Sequence, residues 1–360
     1  MKRILVIASL MIVFTLCVRA QKIEPPKLDP TPSTPSQDQL INEGVALHDR
    51  GDFDGAIRRY EEVLKENPQN VLALYEMSYS YYQKRDFQKS LELSYKTAQF
   101  KSDLVPRIYV QIGSCLDELG DPKNAIETYR SALKIFPSDF LIHYNLAVTH
   151  NKTGELDEAR ASLKKSAMLN PNHASSQLLL AILFDRGSYK TPGLLAVSRF
   201  LVLEPASRRT DAGLRLQRKL LQGGVSAGKK ENEINIVMDA SPKKDEGDFA
   251  GIDLAIGLSK AAEKTEKNKD KTEIQLMVGS FDTVLAILSE TAKPDRSKFT
   301  WTYYVPYFVE MKRQGHQEAF VYYINQKSGL PDVGDWLAAN QDKVNAFLKW
   351  SKGFPWPRMN

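Results

Sequence analysis

Cysteine and histidine are scarce in this chain, with two of the first and five of the second in 360 residues. A disulfide framework is excluded, because Cys17 lies in an apolar leader and leaves Cys115 alone. Cys115 reads as a small core residue. Metal-ligand spacing is missing as well, with no H-E-x-x-H and no cysteine pair. His143 and His150 share a helix face but stand ~10 Å apart along its axis, too far to hold one ion. His48, His173 and His316 fall singly at turns or helix ends. Asp117 and Glu118, like Asp157 and Glu158, are adjacent on helices and point apart, so neither pair suits acid–base work. Ser-x-x-Lys spacings at Ser131, Ser162 and Ser241 recur in unrelated settings, as chance produces in a lysine-rich chain. GGVSAGK at 223–229 fits G-x-x-x-x-G-K, yet Lys230 stands where Ser or Thr should hold magnesium, and a helix precedes it. No catalytic residue, metal or cofactor is expected, and the chain reads as a non-enzyme.

Charge of one sign is also lacking. The net charge of +5 falls to about +2 once the three cations of residues 1–20 are set aside. Residues 37–222 hold 25 basic and 23 acidic side chains, and residues 223–360 hold 19 of each. No face basic enough for a phosphate backbone follows, so nucleic acid is not an expected partner. Long apolar runs are limited to ILVIASLMIVFTLCV at 4–18, behind Lys2 and Arg3 and ahead of Val18-Arg19-Ala20. That pattern predicts a secretory signal peptide cut after Ala20, and an extracytoplasmic protein, periplasmic or secreted. The membrane is then met only transiently, through the leader.

What the chain does have begins with KIEPPKLDPTPSTPS at 22–36, whose five prolines predict an extended tether over 21–36. A repeat follows. Gly51, Ala56, Tyr60 and Pro68 recur as Gly120, Ala125, Tyr129 and Pro137, 69 residues on. Gly154, Ala159 and Pro171 repeat three of these after 34 more, and Pro205 lies 34 beyond. A period of 34 is the mark of stacked helical hairpins. Glycine permits the left-handed turn ending a first helix. Alanine lets two helices approach, tyrosine four residues on fills the gap, and proline stops the second helix.

These residues resemble the tetratricopeptide repeat family, with its small residue at position 8, glycine near 15, alanine at 20, an aromatic at 24 and proline at 32. The resemblance implies units at 37–70, 71–105, 106–139, 140–173 and 174–207, with a capping helix at 208–222. The second unit departs from it, having Arg85, Ser90 and Ser94 at the glycine, alanine and aromatic positions. The fifth has Gly193 in place of alanine. The expected fold is therefore all-α, a solenoid of about five hairpins. A flexible linker is expected at 223–247, with a short strand at Ile234–Met238, and a smaller helical domain at 248–360. Helical periodicity there covers 248–267, 272–292, 299–314, 316–327 and 334–350. Gly315, Ala319, Tyr323 and Pro331 suggest a degenerate sixth hairpin at 300–333, although Pro306 and Tyr307 oppose the pattern at positions 7 and 8.

In the family resembled, first-helix positions 2, 5, 6, 9 and 12 line a concave wall. Carried onto this chain they yield Asn42, then Tyr75, Tyr79 and Tyr82, then Arg107, Gln111, Ser114 and Asp117, then Tyr144, Asn145 and Asn151. Chaperone-binding members clamp a terminal carboxylate there with lysines, which are absent here. Tyrosines with amides and one arginine suit a peptide or helix segment of another protein. The expected function is a protein-interaction scaffold or adaptor of the cell envelope. Two alternatives stay open: a cell-surface glycan-binding or uptake component, and an enzyme of unfamiliar type within 248–360. In WTYYVPYFVEMKRQGHQEAFVYYI, residues 301–324, Trp301, Tyr304, Phe308 and Met311 form a core stripe. A glycan would draw on Tyr303 and Tyr307 beside it, and an enzyme on Tyr303, Tyr307 or His316.

Overall fold

The computed structural model describes residues 23–222, 225–227, 234–236, 245–263, 265, 268–290, 295 and 297–357. The expected signal peptide and most of the expected linker lie outside the described residues, and of GGVSAGK only Val225–Ala227 is described. The fold is all-α except for one small ribbon, and the chain divides into two compact units after Ile135.

The first unit consists of three helical hairpins: α1 (Pro35–Asp49) with α2 (Phe53–Glu66), α3 (Val71–Gln83) with α4 (Phe87–Thr97), and α5 (Val105–Glu118) with α6 (Pro122–Ile135). The starts of α1 to α4 have a local cause. Thr34 and Gln37 cap α1 reciprocally, each side chain taking the other's backbone N–H at 3.3 Å. The carboxylates of Asp52 and Asp86 and the amide oxygen of Asn70 cap α2, α4 and α3 one way, accepting the backbone N–H of Gly55, Lys89 and Ala73. The turn within each hairpin needs one left-handed residue, supplied by Gly51 (φ 83°), Arg85 (φ 65°) and Gly120 (φ 82°). Glycine dominates this position, yet Arg85 holds it with its guanidinium 5.5 Å from the Phe87 ring.

Small residues at position 8 let the tyrosines in. A Cβ at Gly44 would overlap the ring of Tyr60, and one at Gly113 the ring of Tyr129. Both tyrosines are buried completely against Ala56 and Ala125 of their own helices' inner faces. The second hairpin has Ser78, Ser90 and Ser94 at the matching places, all buried. Their hydroxyls need partners: Ser94 donates to Ser90 O at 2.7 Å, and Gln111 Nε2 donates to Ser90 Oγ at 3.1 Å.

The proline-rich segment, where a tether is expected, is fastened down along the first unit. Lys27 N and Leu28 N both donate to Gln99 O at 3.0 Å, and Lys101 N donates to Leu28 O at 2.8 Å. Tyr109 Oη donates to Glu24 O at 2.9 Å. The Asn67 amide reaches the carbonyls of Thr31 and Pro32, and Asn70 donates to Ser33 Oγ at 2.6 Å. Residues 24–33 are thus a clasp across the loops that join one hairpin to the next.

The second unit opens with two more hairpins, α7 (Phe140–Thr153) with α8 (Leu156–Leu169), and α9 (Ala174–Arg186) with α10 (Lys190–Leu203). Their turns are set by Gly154 (φ 83°) and Ser188 (φ 62°). Next come α11 (Thr210–Leu221) and a ribbon of β1 (Val225–Ala227) antiparallel to β2 (Ile234–Ile236). The unit ends with α12 (Ala250–Ala262), α13 (Glu273–Glu290), α14 (Phe299–Arg313), α15 (Gln317–Ile324), α16 (Val333–Ala339) and α17 (Gln341–Lys352). Among the described residues, no helix is long and apolar enough to cross a membrane.

Two features of this unit differ from the sequence reading. Every residue of α10 from Thr191 to Val202 is buried, because α12, α14 and α15 pack on it as well as α9 and α11. A helix apolar all round must be covered all round, so residues 248–360 share one core with α8–α11. Asp245 and Glu246, at the end of the expected linker, are anchored too: Tyr189 Oη donates to Asp245 at 2.6 Å, and buried Glu246 pairs with Lys164. Secondly, α14 and α15 leave the turn at Gly315 without running alongside each other, so no sixth hairpin closes at 300–333. The helix expected at 334–350 is broken at Asn340, whose side chain donates to Trp336 O at 2.9 Å.

A candidate partner-binding wall on the first helices

Within the first unit, α1, α3 and α5 stand side by side, and α3 touches both neighbours. Residues on the face of α3 recur at three and four, so Tyr75, Tyr79 and Tyr82 form one stripe. All three are partly buried. Tyr79 stacks on His48 of α1, with centroids 4.9 Å apart and planes 18° from parallel, and Tyr82 meets Phe87 edge-on at 5.2 Å. His48 Nδ1 lies 2.8 Å from Ser80 Oγ, and burial lowers the imidazole pKa against the pull of Asp49. The histidine therefore serves as a fixed platform for the Tyr79 ring.

Glu76 lies beside the stripe, half-buried. Burial raises its carboxyl pKa, Arg107 opposes the shift and Asp49 adds to it. Burial likewise raises the Tyr75 phenol, with Glu76 the next cause. Among the described residues, neither the Glu76 carboxylate nor the Tyr75 hydroxyl has a hydrogen-bond partner or an ion pair within the chain. The same holds for Asn42 on α1 and Arg107 on α5, both exposed. Leu72, one turn before Glu76, is 40% exposed. The wall thus offers aromatic faces, a leucine, an amide, a carboxylate and a guanidinium with their polar valences unspent.

Of the residues expected on the wall, Tyr75, Tyr79 and Tyr82 share one stripe of α3, Arg107 of α5 lies near Tyr75, and Asn42 is exposed on α1. Gln111 does not belong to the wall. Its side chain is buried, donating to Ser90 and lying 3.6 Å from the Cys115 sulfur, because the serine-lined hairpin needs that partner. Cys115 is an inert core thiol, its pKa pushed up to about 11 by burial. Tyr144 and Asn145 are on α7, in the second unit. Tyr144 meets His173 edge-on at 4.8 Å, and the Asn145 amide donates to Leu141 O within its own helix. Glu76 and Leu72 occupy wall positions 6 and 2 of the second unit, and His48, expected only at a helix end, occupies position 12 of the first.

The aromatic residues near the C-terminus make no platform. Tyr303, Tyr304 and Tyr307 are fully buried, donating to Ala167 O, to Gln177 Oε1 and, in the last case, pairing with Ser351 Oγ at 2.7 Å. Phe354 and Trp356 close over Tyr307. His316 faces the ring of Trp350 at 5.5 Å. Tyr303 and Tyr307 thus belong to the core, with neither ring open to a glycan. Among the described residues, no group of three histidines, cysteines or carboxylates gathers to hold a metal. His143 and His150 serve locally, at Pro137 O and Glu155.

The tetratricopeptide repeat family matches twice, over 41–105 and over 118–183. Residues 41–183 carry tetratricopeptide repeats. The anaphase-promoting complex subunit CDC16 of Saccharomyces cerevisiae is 30% identical over 119 residues, 31% of this chain and 14% of that protein. The TPR repeat-containing protein MJ1428 of Methanocaldococcus jannaschii is 27% identical over 120 residues, 33% of this chain and 21% of its own. The chain therefore spans a seventh and a fifth of the lengths of these relatives. Among solved structures, the thermophilic TPR protein TTC0263 of Thermus thermophilus is 23% identical, with a TM-score of 0.42, over 51% of this chain and 99% of that one. The pilF protein of Pseudomonas aeruginosa is 18% identical, with a TM-score of 0.41, over 52% and 89%.

Proposed function

We propose that this repeat protein is a non-enzymatic scaffold or adaptor, holding a peptide or helical segment of another protein against the α1–α3–α5 wall. One observation carries the reading: the side chains of Tyr75 and Glu76 lie half-buried on α3, near Arg107 of α5, with no hydrogen bond or ion pair of their own among the described residues. Half-buried polar groups left unpaired lose hydration without regaining hydrogen bonds, a cost that a bound chain relieves. Tyrosines beside them supply rigid contact area at little entropic loss. The yeast relative is itself a subunit of a complex, which supports the use of such repeats between proteins. The apolar leader at 1–20 supports a site of action outside the cytoplasm.

Replacing Tyr75 and Tyr79 together by alanine tests the reading. Captured partners should be lost while the helical circular dichroism persists. Retention of every partner by the folded variant would overturn it. Amino-terminal sequencing of protein from the extracytoplasmic fraction should begin at Gln21.

A further inference from the structure

We infer that the wall seats a basic side chain of its peptide partner, lysine or arginine, at Glu76 beside the rings of Tyr75 and Tyr79. This rests on the reading that the wall binds a peptide, and adds the chemistry of one contact. Glu76 and Tyr79 are three residues apart on α3 and Tyr75 and Tyr79 four apart, so the carboxylate and both rings share a face. The carboxylate is half-buried, and no donor in the chain reaches it among the described residues. Its charged surroundings are Asp49 at the end of α1 and Arg107 at the start of α5.

The two cationic and anionic possibilities are unequal. Arg107 is exposed and keeps its water, so a partner carboxylate gains little there. That carboxylate would also sit near Glu76 and Asp49, with like charge. Glu76 has surrendered part of its hydration and has no ion pair, so a cation gains most at this point. Phenol rings alongside favour the same sign, through the negative potential of their faces. Leu72 accommodates the aliphatic stem that either basic residue brings.

The test is selection of displayed random twelve-residue peptides on the full chain, followed by anisotropy titration of the winners. Wild type, Glu76→Gln and the Tyr75→Ala/Tyr79→Ala double variant are compared. A shared basic position should emerge. Changing that residue to methionine should weaken binding about tenfold on wild type and leave binding to Glu76→Gln nearly unchanged. Glu76→Asp, which keeps the charge, should retain part of the effect. Winners that fail on the tyrosine double variant yet share no basic position would overturn the cation seat and leave the wall standing. So would a basic position whose loss costs equally on Glu76→Gln. Winners indifferent to the double variant, or no winners at all, would overturn the wall and the seat together.

Discussion

In α5–α6 the ring of Tyr129 lies where a side chain at Gly113 would otherwise stand, and the two helices close along their length. In α14–α15 the glycine, alanine, tyrosine and proline recur as Gly315, Ala319, Tyr323 and Pro331, but position 8 holds Tyr307. That ring turns away into Ser351, Trp350 and Trp356, and the two helices part. Phe308 and Phe320 then meet across the gap at 5.8 Å. The difference teaches that the alanine and tyrosine of the second helix are only half of a joint. The other half is the missing side chain on the first helix.

The largest expected effect tests the tyrosine half. Tyr129→Ala empties a site that is 1% exposed and should cost about 3–5 kcal/mol in urea unfolding. Tyr323→Ala, at a partly buried ring against Phe347, should cost less than half as much. Equal costs would mean that both pairs use the tyrosine alike, and the comparison would fail.

The glycine half comes next. Gly113→Val forces a branched side chain into the Tyr129 ring and should cost about 1–3 kcal/mol or more. Gly279→Ala, in the middle of α13 with open space around it, should stabilise by about 0.5–1 kcal/mol. Thermal unfolding of the two variants should therefore move in opposite directions.

A smaller effect separates the turns. Ser188 and Gly154 adopt nearly the same left-handed angle in consecutive hairpins, one with a Cβ and one without. Gly154→Ala should destabilise by about 1 kcal/mol, and Ser188→Gly should stabilise by a few tenths up to about 1 kcal/mol. Unfolding midpoints that move the same way would show that the loop, and not the residue, sets the conformation.

These contrasts mark how far the amino-acid pattern carries. The turns at Gly51, Gly120 and Gly154 were legible because glycine announces a left-handed residue. Arg85 and Ser188 were legible only through the period, since neither type favours that angle. The clasp had no local signature: its hold on Gln99, Asn67 and Asn70 joins residues more than thirty positions apart. Helices beyond 248 were legible as periodicity, but their union with α10 was not, although twelve successive buried residues there required a cover on every side. On the wall, the period placed Tyr75, Tyr79 and Tyr82 on one stripe of α3, with Arg107 near Tyr75. It failed at Gln111, where the buried hydroxyl of Ser90 drew the amide inward. Glu76 was passed over because a carboxylate on a helix usually reads as a solvated charge.

Glu76 also supplies the smallest expected effect, which compares the wall with the joints. Tyr129 and Gly113 are there for stability, whereas Glu76 opposes it: burial raises its folded-state pKa above that of the unfolded chain. An acid with a raised pKa binds its proton more tightly when folded, so lowering the pH through that raised value adds stability. Raising the pH removes it. Glu76→Gln should accordingly stabilise the chain at neutral pH by less than about 1 kcal/mol. It should also flatten the part of the pH–stability profile just above the ordinary glutamate range. Peptide binding through Glu76 requires the ionised form, so in wild type it should weaken over the same interval in which the fold becomes firmer. Stability and binding that fall together on acidification would show that Glu76 belongs with the joints, as a structural residue, and not with the wall.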